Sequence, residues 1–152
     1  RVIRALEVYM LTGEPLSHFH ARDQARRRQQ SAVLVGLMRR REELYRRIDA
    51  RVDAQLRQGL LSEVRGLLHR GFGRNIISLQ ALGYKEFLPY LAGERTLQEC
   101  VRQLKKNTRQ LAKRQLTWFR ADQRIHWIHL DDLTPQQALD EAYEIIQRGL
   151  GR

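Results

Sequence analysis

"SAVLVGLM", Ser31 to Met38, decides what kind of fold this chain has. It is a short apolar run rich in β-branched residues, too short for a helix of its own, and it reads as a strand buried on both faces. "RIHWIHL" gives a second strand, Ile125 to Leu130. Around and between these two runs the periodicity is helical. Two apolar strands separated by helices predict an α/β layout, predominantly helical. Two strands are too few for a complete parallel sheet, so the rest of the sheet is expected outside this chain.

Outward from the first strand, Val2, Leu6, Tyr9 and Met10 recur at helical spacing over residues 2–11, with Thr12-Gly13 as the stop. Glu14 to Gln30 is polar and irregular, and its "RRRQQ" reads as a basic loop. A long helix is predicted from Arg40 to Gln58, closed by Gly59, with Leu44, Ile48, Val52 and Leu56 as its core stripe. A shorter helix runs from Leu61 to Arg70 and ends at Gly71, and "GFGRN" is loop. "LQALGYKEFLPYLAGE" reads as one helix, with Gly83 early in it and Gly93 as its stop. Thr96 and Glu99 form a capping box at the start of the longest helix. Leu97, Val101, Leu104, Leu111 and Trp118 make its core face, interrupted by Thr108 and Gln115. Thr134-Pro135-Gln136-Gln137 opens a last helix with proline in its first turn, packed by Ala138, Ala142, Ile145 and Ile146.

The 152 residues amount to about one ordinary domain, 42% apolar, with a net charge of +11. No run approaches the roughly 18 apolar residues of a membrane span, so no membrane is expected. No signal peptide is recognisable. Arg1 is not Met, and the chain reads as a fragment or a trimmed piece. Its single cysteine, Cys100, excludes an internal disulfide, suits a reducing compartment such as the cytoplasm, and reads as a small buried helix residue. The positive charge is uneven. Residues 22–51 hold ten Arg and four acids, residues 102–120 hold seven Lys or Arg and no acid, and the stretch from Asp131 is acidic on balance. Such clustering points to a polyanionic partner. Within "NTRQLAKRQLTWFR", Arg109, Lys113, Arg114 and Arg120 are the residues expected to meet it.

Arg47 and Arg51, four apart on the long helix, could clamp a phosphate or diphosphate, because guanidinium forks match phosphate oxygens. His126 and His129 lie on a strand, where their side chains diverge, and no third ligand is near. No metal site is expected in this chain. There is no G-x-x-x-x-G-K-[ST] loop and no recognisable Ser/His/Asp or Cys/His set. From the residues alone the reading stops at a basic, mostly helical α/β module that binds nucleic acid.

"RVIRALEVYMLTGEPLS", "LQALGYKEFLPYLAGE" and "TRQLAKRQLTWFR" followed by "HWIHLDD" occur in one order. Together they closely resemble the C-terminal half of the tRNA dimethylallyltransferases, also called tRNA isopentenyltransferases, across nearly the whole chain. The resemblance implies transfer of the five-carbon group of dimethylallyl diphosphate to N6 of adenine 37, beside the anticodon, in tRNAs that read codons beginning with U. It implies a P-loop NTPase-like, nucleotide-binding (ATP-binding) fold with a helical insertion. Residues 1–30 would be the end of that insertion and the basic loop, and residues 31–152 the C-terminal part of the central α/β catalytic domain. Segments matching Arg1 to Arg4, Gln80-Ala81-Leu82-Gly83-Tyr84-Lys85 and Lys113 to Arg120, with Gln115, Thr117 and Trp118 among them, would touch the tRNA anticodon stem-loop. Thr108 and Gln115 then become polar positions near a ligand channel, while Trp118 reads as core rather than as a base platform. Arg51 resembles the family arginine that grips the diphosphate, with Arg47 a second member of that pocket. Mg²⁺ is implied, with ligands outside this chain. The phosphate-binding loop and the general-base Asp belong to the family's N-terminal half and are absent here, so the chain alone is expected to be inactive. The alternative is a non-catalytic tRNA-binding module.

Overall fold

The computed structural model describes residues 2–29, 32–72 and 77–151. Over those residues the chain is mostly helical, with one small sheet. Helices α1 (Val2–Thr12) and α2 (Leu16–Gln29) precede strand β1 (Leu34–Met38). Then come α3 (Arg41–Arg57), α4 (Leu60–His69), the short α5 (Leu88–Leu91), the long α6 (Leu97–Arg120), strand β2 (Ile125–His129) and α7 (Pro135–Leu150). The predicted α/β layout stands. β1 and β2 pair in parallel, Leu34 opposite Ile125 and Met38 opposite His129. Gly36 lies opposite Trp127, and a Cβ there would come within 2.7 Å of the Trp127 ring and 2.6 Å of Ile125.

The core sits between α3, α6 and the segment before α5. Val52, Phe87, Cys100 and Leu104 form its buried cluster, with Leu56, Leu97 and Val101 packed against it. The expected stripe of α3 is therefore correct, and Cys100 is the buried helix residue it was expected to be. Burying a side chain such as Phe87 contributes roughly 1.5–3 kcal/mol. Thr96 and Glu99 close the predicted capping box, and Thr134 with Gln137 closes another at the start of α7.

Four expectations are corrected. Residues 14–30 were expected to be irregular, yet they form α2 from Leu16 to Gln29. Arg, Gln and Ala are good helix formers that lose little side-chain freedom in a helix, and this stretch lacks the apolar period by which helices announce themselves. The single helix expected over Leu79 to Glu94 is broken. Ile77–Gln80 and Lys85–Phe87 are 3₁₀ turns and only Leu88–Leu91 is α-helical. Gly83 adopts φ +102°, a conformation that ends a helix and that glycine tolerates.

The first strand, expected to be buried on both faces, leaves Leu37 60% exposed. Trp118, expected in the core seam of α6, is 74% exposed. The buried residues of this 24-residue helix, Cys100 and Leu104, both lie in its first half, and a seam recurring every seven residues drifts by about 20° per repeat. Arg1, Gln30, Ser31 and much of "GFGRN" lie outside the described residues.

Candidate functional site

Two of the seven cations in the acid-free run on α6 meet acids from another helix. Arg109 donates two hydrogen bonds to Asp49 of α3, at 3.1 and 2.8 Å, and its guanidinium also lies 5.7 Å from the Tyr45 ring. One turn earlier, Lys105 donates to Asp53 at 2.9 Å. These pairs are half-buried and fasten α3 to α6. Arg109, expected to face a polyanion, has a carboxylate partner in Asp49 that takes two of its hydrogen bonds, and its side chain is 37% exposed. Lys113, Arg114 and Arg120 make no ion pair among the described residues.

α3 and α6 leave a cleft of about 700 Å³ between them. Arg51 lines it from α3, and Leu104, Thr108, Leu111, Ala112 and Gln115 line it from α6. These five positions follow helical spacing, so the polar residues that interrupt the leucine seam are the ones that face the cleft. Thr108 donates its hydroxyl hydrogen to the Leu104 carbonyl at 2.8 Å, which leaves its oxygen able to accept. Arg51 and Gln115 have no hydrogen-bond partner among the described residues. Leu44, Ile48 and Val52 supply apolar wall beside Arg51.

The turn at Gln80 to Lys85 closes one side. Leu82, Gly83 and Tyr84 line the cleft. The turn is fastened from both ends. Tyr84 donates its phenol hydrogen to Glu63 of α4 at 2.7 Å, and that bond raises the Tyr84 pKa above its ordinary value. Glu86, a buried charged residue, accepts from the Gly83 amide at 2.9 Å and from Asn107 of α6 at 2.8 Å.

Three of the sequence-predicted groups therefore meet in one cleft: Arg51, the 82–84 turn and Gln115. Arg47 does not join them. Four residues along a helix is one turn plus about 40° of rotation, and that carries Arg47 to a separate cavity with Arg39, Arg40 and Glu43. There Glu43 accepts from both Arg46 and Arg47 at 2.8 Å, and those bonds hold its carboxyl down at about 2. Lys113, Arg114, Thr117 and Trp118 lie further along α6, around an open hollow of about 600 Å³. Arg4 is on α1, 3.5 Å from Glu7. Sequence reasoning missed Glu86, Asn107, Asp49 and Asp53. A signal existed for Glu86, which follows Gly83 at the spacing of a cap. None existed for the aspartates, whose partners are 60 and 52 positions away.

Among the described residues, no three or more His, Cys, Asp or Glu side chains gather where they could hold a metal ion. Among the same residues, no helix is long and apolar enough to cross a membrane.

Comparisons with known proteins bear on this cleft. A family model described as IPP transferase matches residues 1–122. The chain is 47% identical over 139 residues to a tRNA dimethylallyltransferase of Pelotomaculum thermopropionicum, covering 91% of this chain and 44% of that protein. It is 46% identical over 151 residues to one of Desulforamulus reducens, covering 99% and 52%. Among solved structures, it superposes on the full-length tRNA isopentenylpyrophosphate transferase of Bacillus halodurans with a TM-score of 0.78 and 39% identity, over 99% of this chain and 45% of that one. A tRNA delta(2)-isopentenylpyrophosphate transferase of Staphylococcus epidermidis gives 0.76 and 38%, over 97% and 48%. The chain spans about half the length of the relatives it matches.

Proposed function

Because this chain belongs to the IPP transferase family, we propose that it is the C-terminal, tRNA-holding part of an enzyme that transfers a dimethylallyl group to tRNA. The donor is dimethylallyl diphosphate and the acceptor is N6 of adenine 37 in tRNAs that read codons beginning with U. The observation that carries this is the cleft lined by Arg51, Thr108 and Gln115 between apolar walls, in which Arg51 has no partner among the described residues. A guanidinium fork suits a diphosphate, and Ile48 and Leu111 suit a five-carbon hydrocarbon.

In the reaction, N6 of the adenine attacks C1 of the allylic group and the C1–O bond breaks. Its electron pair leaves on the diphosphate, and an N6 proton passes to a base. Arg51 stabilises the charge that gathers on the leaving diphosphate. The base and the phosphate-binding loop of the P-loop-like fold come from the N-terminal half of the enzyme, as does any Mg²⁺ site. The adenine must be turned out of its stack to react, and single-stranded loops are held by splayed bases and phosphate contacts. Lys113 and Arg114, free of ion pairs among the described residues, supply phosphate contacts beside the cleft. The enzyme works in the cytoplasm, where its tRNA is.

The chain alone does not transfer the group, since it brings one diphosphate arginine and part of the tRNA surface. The assay uses purified chain, radiolabelled dimethylallyl diphosphate, Mg²⁺ and unmodified tRNA, with and without the separately expressed N-terminal half. Label in the tRNA only when both halves are present is the expected result. Label with this chain alone overturns the division of labour. No label with both halves, but retained RNA binding, favours the non-catalytic tRNA-binding module.

A further inference from the structure

We propose that Glu86 is a positioning residue whose buried carboxylate fixes the 80–85 turn against α6 and so sets the opening of the cleft. The residue is 6% exposed beside Phe87 and Leu88, which are also buried. A residue chosen for packing alone would be apolar there, because a buried carboxylate is costly unless its oxygens are bonded. Both oxygens of Glu86 are bonded, and to two different elements. Oε2 accepts from the Gly83 amide at 2.9 Å, inside the turn. Oε1 accepts from Asn107 Nδ2 at 2.8 Å, on α6. Asn107 is itself oriented by Gln103, whose Nε2 donates to Asn107 Oδ1 at 2.7 Å.

The consequence follows from what each end carries. Gly83 lies between Leu82 and Tyr84, which line the cleft from the turn, and Asn107 precedes Thr108, which lines it from α6. Glu86 is the strut between two of its walls. Tyr84 makes the companion tie to Glu63 on α4, so the turn is held at both ends. Glu86 does not itself line the cleft and is not placed to touch a substrate. Its effect on chemistry is through the turn.

The test moves the charge along the strut. Asn107→Asp sets a second carboxylate against Glu86, and like charges in contact push the turn off α6. Adding Glu86→Gln restores every bond. The new side-chain amide accepts from the Gly83 amide through its oxygen and donates through its nitrogen to the new carboxylate on α6, which still accepts from Gln103. In the complete enzyme, Asn107→Asp is expected to lower kcat at saturating substrates on the order of tenfold or more, as small misplacements do. The Kd for an anticodon stem-loop rises by less than kcat falls, because the 80–85 turn is one tRNA contact among several and the phosphate contacts at Lys113 and Arg114 are untouched. Amide hydrogen exchange at residues 80–85 speeds up. The double variant restores both kcat and protection, which a general fold defect does not do.

If Asn107→Asp does not accumulate, Asn107→Ala removes the donor without adding charge and is read the same way. Unchanged protection in the single variant overturns the proposal, as does lost protection with unchanged kcat, or a double variant no better than the single. The kcat arm rests on the transferase reading. If the unmodified enzyme transfers nothing, that reading fails while the exchange arm still decides whether Glu86 holds the turn.

Discussion

The two halves of α6 carry similar cations and use them differently. In the first half, Lys105 and Arg109 are neutralised by Asp53 and Asp49, and Cys100 and Leu104 are buried among them. In the second half, Lys113, Arg114 and Arg120 make no ion pairs among the described residues, and Trp118 is 74% exposed. An acid-free run of sequence is therefore not the same thing as an unneutralised surface. The first half is one side of a helix–helix joint whose acids come from a distant segment. The second half presents its cations, unpaired among the described residues, on an exposed face, which suits the polyanion contact proposed above, and the cleft with Arg51 lies at the change from one to the other.

The largest expected effect tests that junction. In the complete enzyme, Arg51→Ala should lower the transfer rate by about 30- to 1000-fold, equivalent to roughly 2–4 kcal/mol of transition-state stabilisation. RNA affinity should barely change. Arg51→Lys should recover part of the rate, because an ammonium is a point charge and not a fork. Steady-state kinetics with dimethylallyl diphosphate varied decides it, and unchanged kinetics for Arg51→Ala would remove Arg51 from the site.

The second test separates the two halves by salt. If about five phosphates are neutralised, log K for an anticodon stem-loop falls with log salt at a slope near −3.5, at about −0.7 per contact. Lys113→Gln with Arg114→Gln should bring it to about −2.1, while surface changes of this kind leave stability within about 0.5 kcal/mol. A response that is flat in the unmodified protein would dissolve the contrast altogether.

The same titration with Asp49→Asn should do the reverse. Arg109 loses its charged partner, and unfolding in urea should come about 1 kcal/mol more easily, a modest figure because both side chains are about a third exposed. The RNA salt slope should not change. A steeper slope in Asp49→Asn would mean that the freed Arg109 reaches RNA and that the first half is not merely a joint.

The smallest effect belongs to a pair made within one helix. Glu43 is held at about 2, against 4.5 for an ordinary glutamate, first by its bond to Arg46 and then by that to Arg47. A lowered carboxyl pKa stabilises the fold above the ordinary value, and that contribution fades as pH falls from 4.5 through 2. An NMR titration of the Glu43 carboxyl should find its midpoint near the lower figure. Replacing Arg46 and Arg47 by Gln should move it back up, with little change in melting at neutral pH.

Much of this fold was legible in the sequence because its signals are local. The capping box at Thr96 and the core stripe of α3 follow from neighbours three or four residues apart, and both short strands from contiguous apolar runs; the second capping box, Thr134 with Gln137, is read from the sequence only as a helix start with proline. What escaped was decided at a distance or without periodicity. α2 has no apolar stripe to announce it. The 80–87 turn depends on Asn107, 21 positions from Glu86. The fate of Trp118 depends on where its covering elements end. The site divides in the same way. Thr108 and Gln115 stood out as faults in a leucine seam and do line the cleft. Arg47 and Arg51 looked alike by spacing, and one turn of rise with about 40° of extra rotation put them in different cavities.

The parallel pair β1–β2 has a consequence in time. Leu34 finds Ile125 only after α3, α4, α5 and α6 have been made. A ribosome adding residues at its usual pace takes roughly five to twenty seconds over that interval. α3 and α4 can coil as they emerge, since their contacts are short-range. β1 cannot pair with β2 before β2 is made, and until then the edge that β2 will cover stands open to any passing strand. Birth order thus delays this pair until near the end of the chain, with only α7 still to pack on β2, and a chaperone that shelters "LVGLM" during synthesis would act on that open edge.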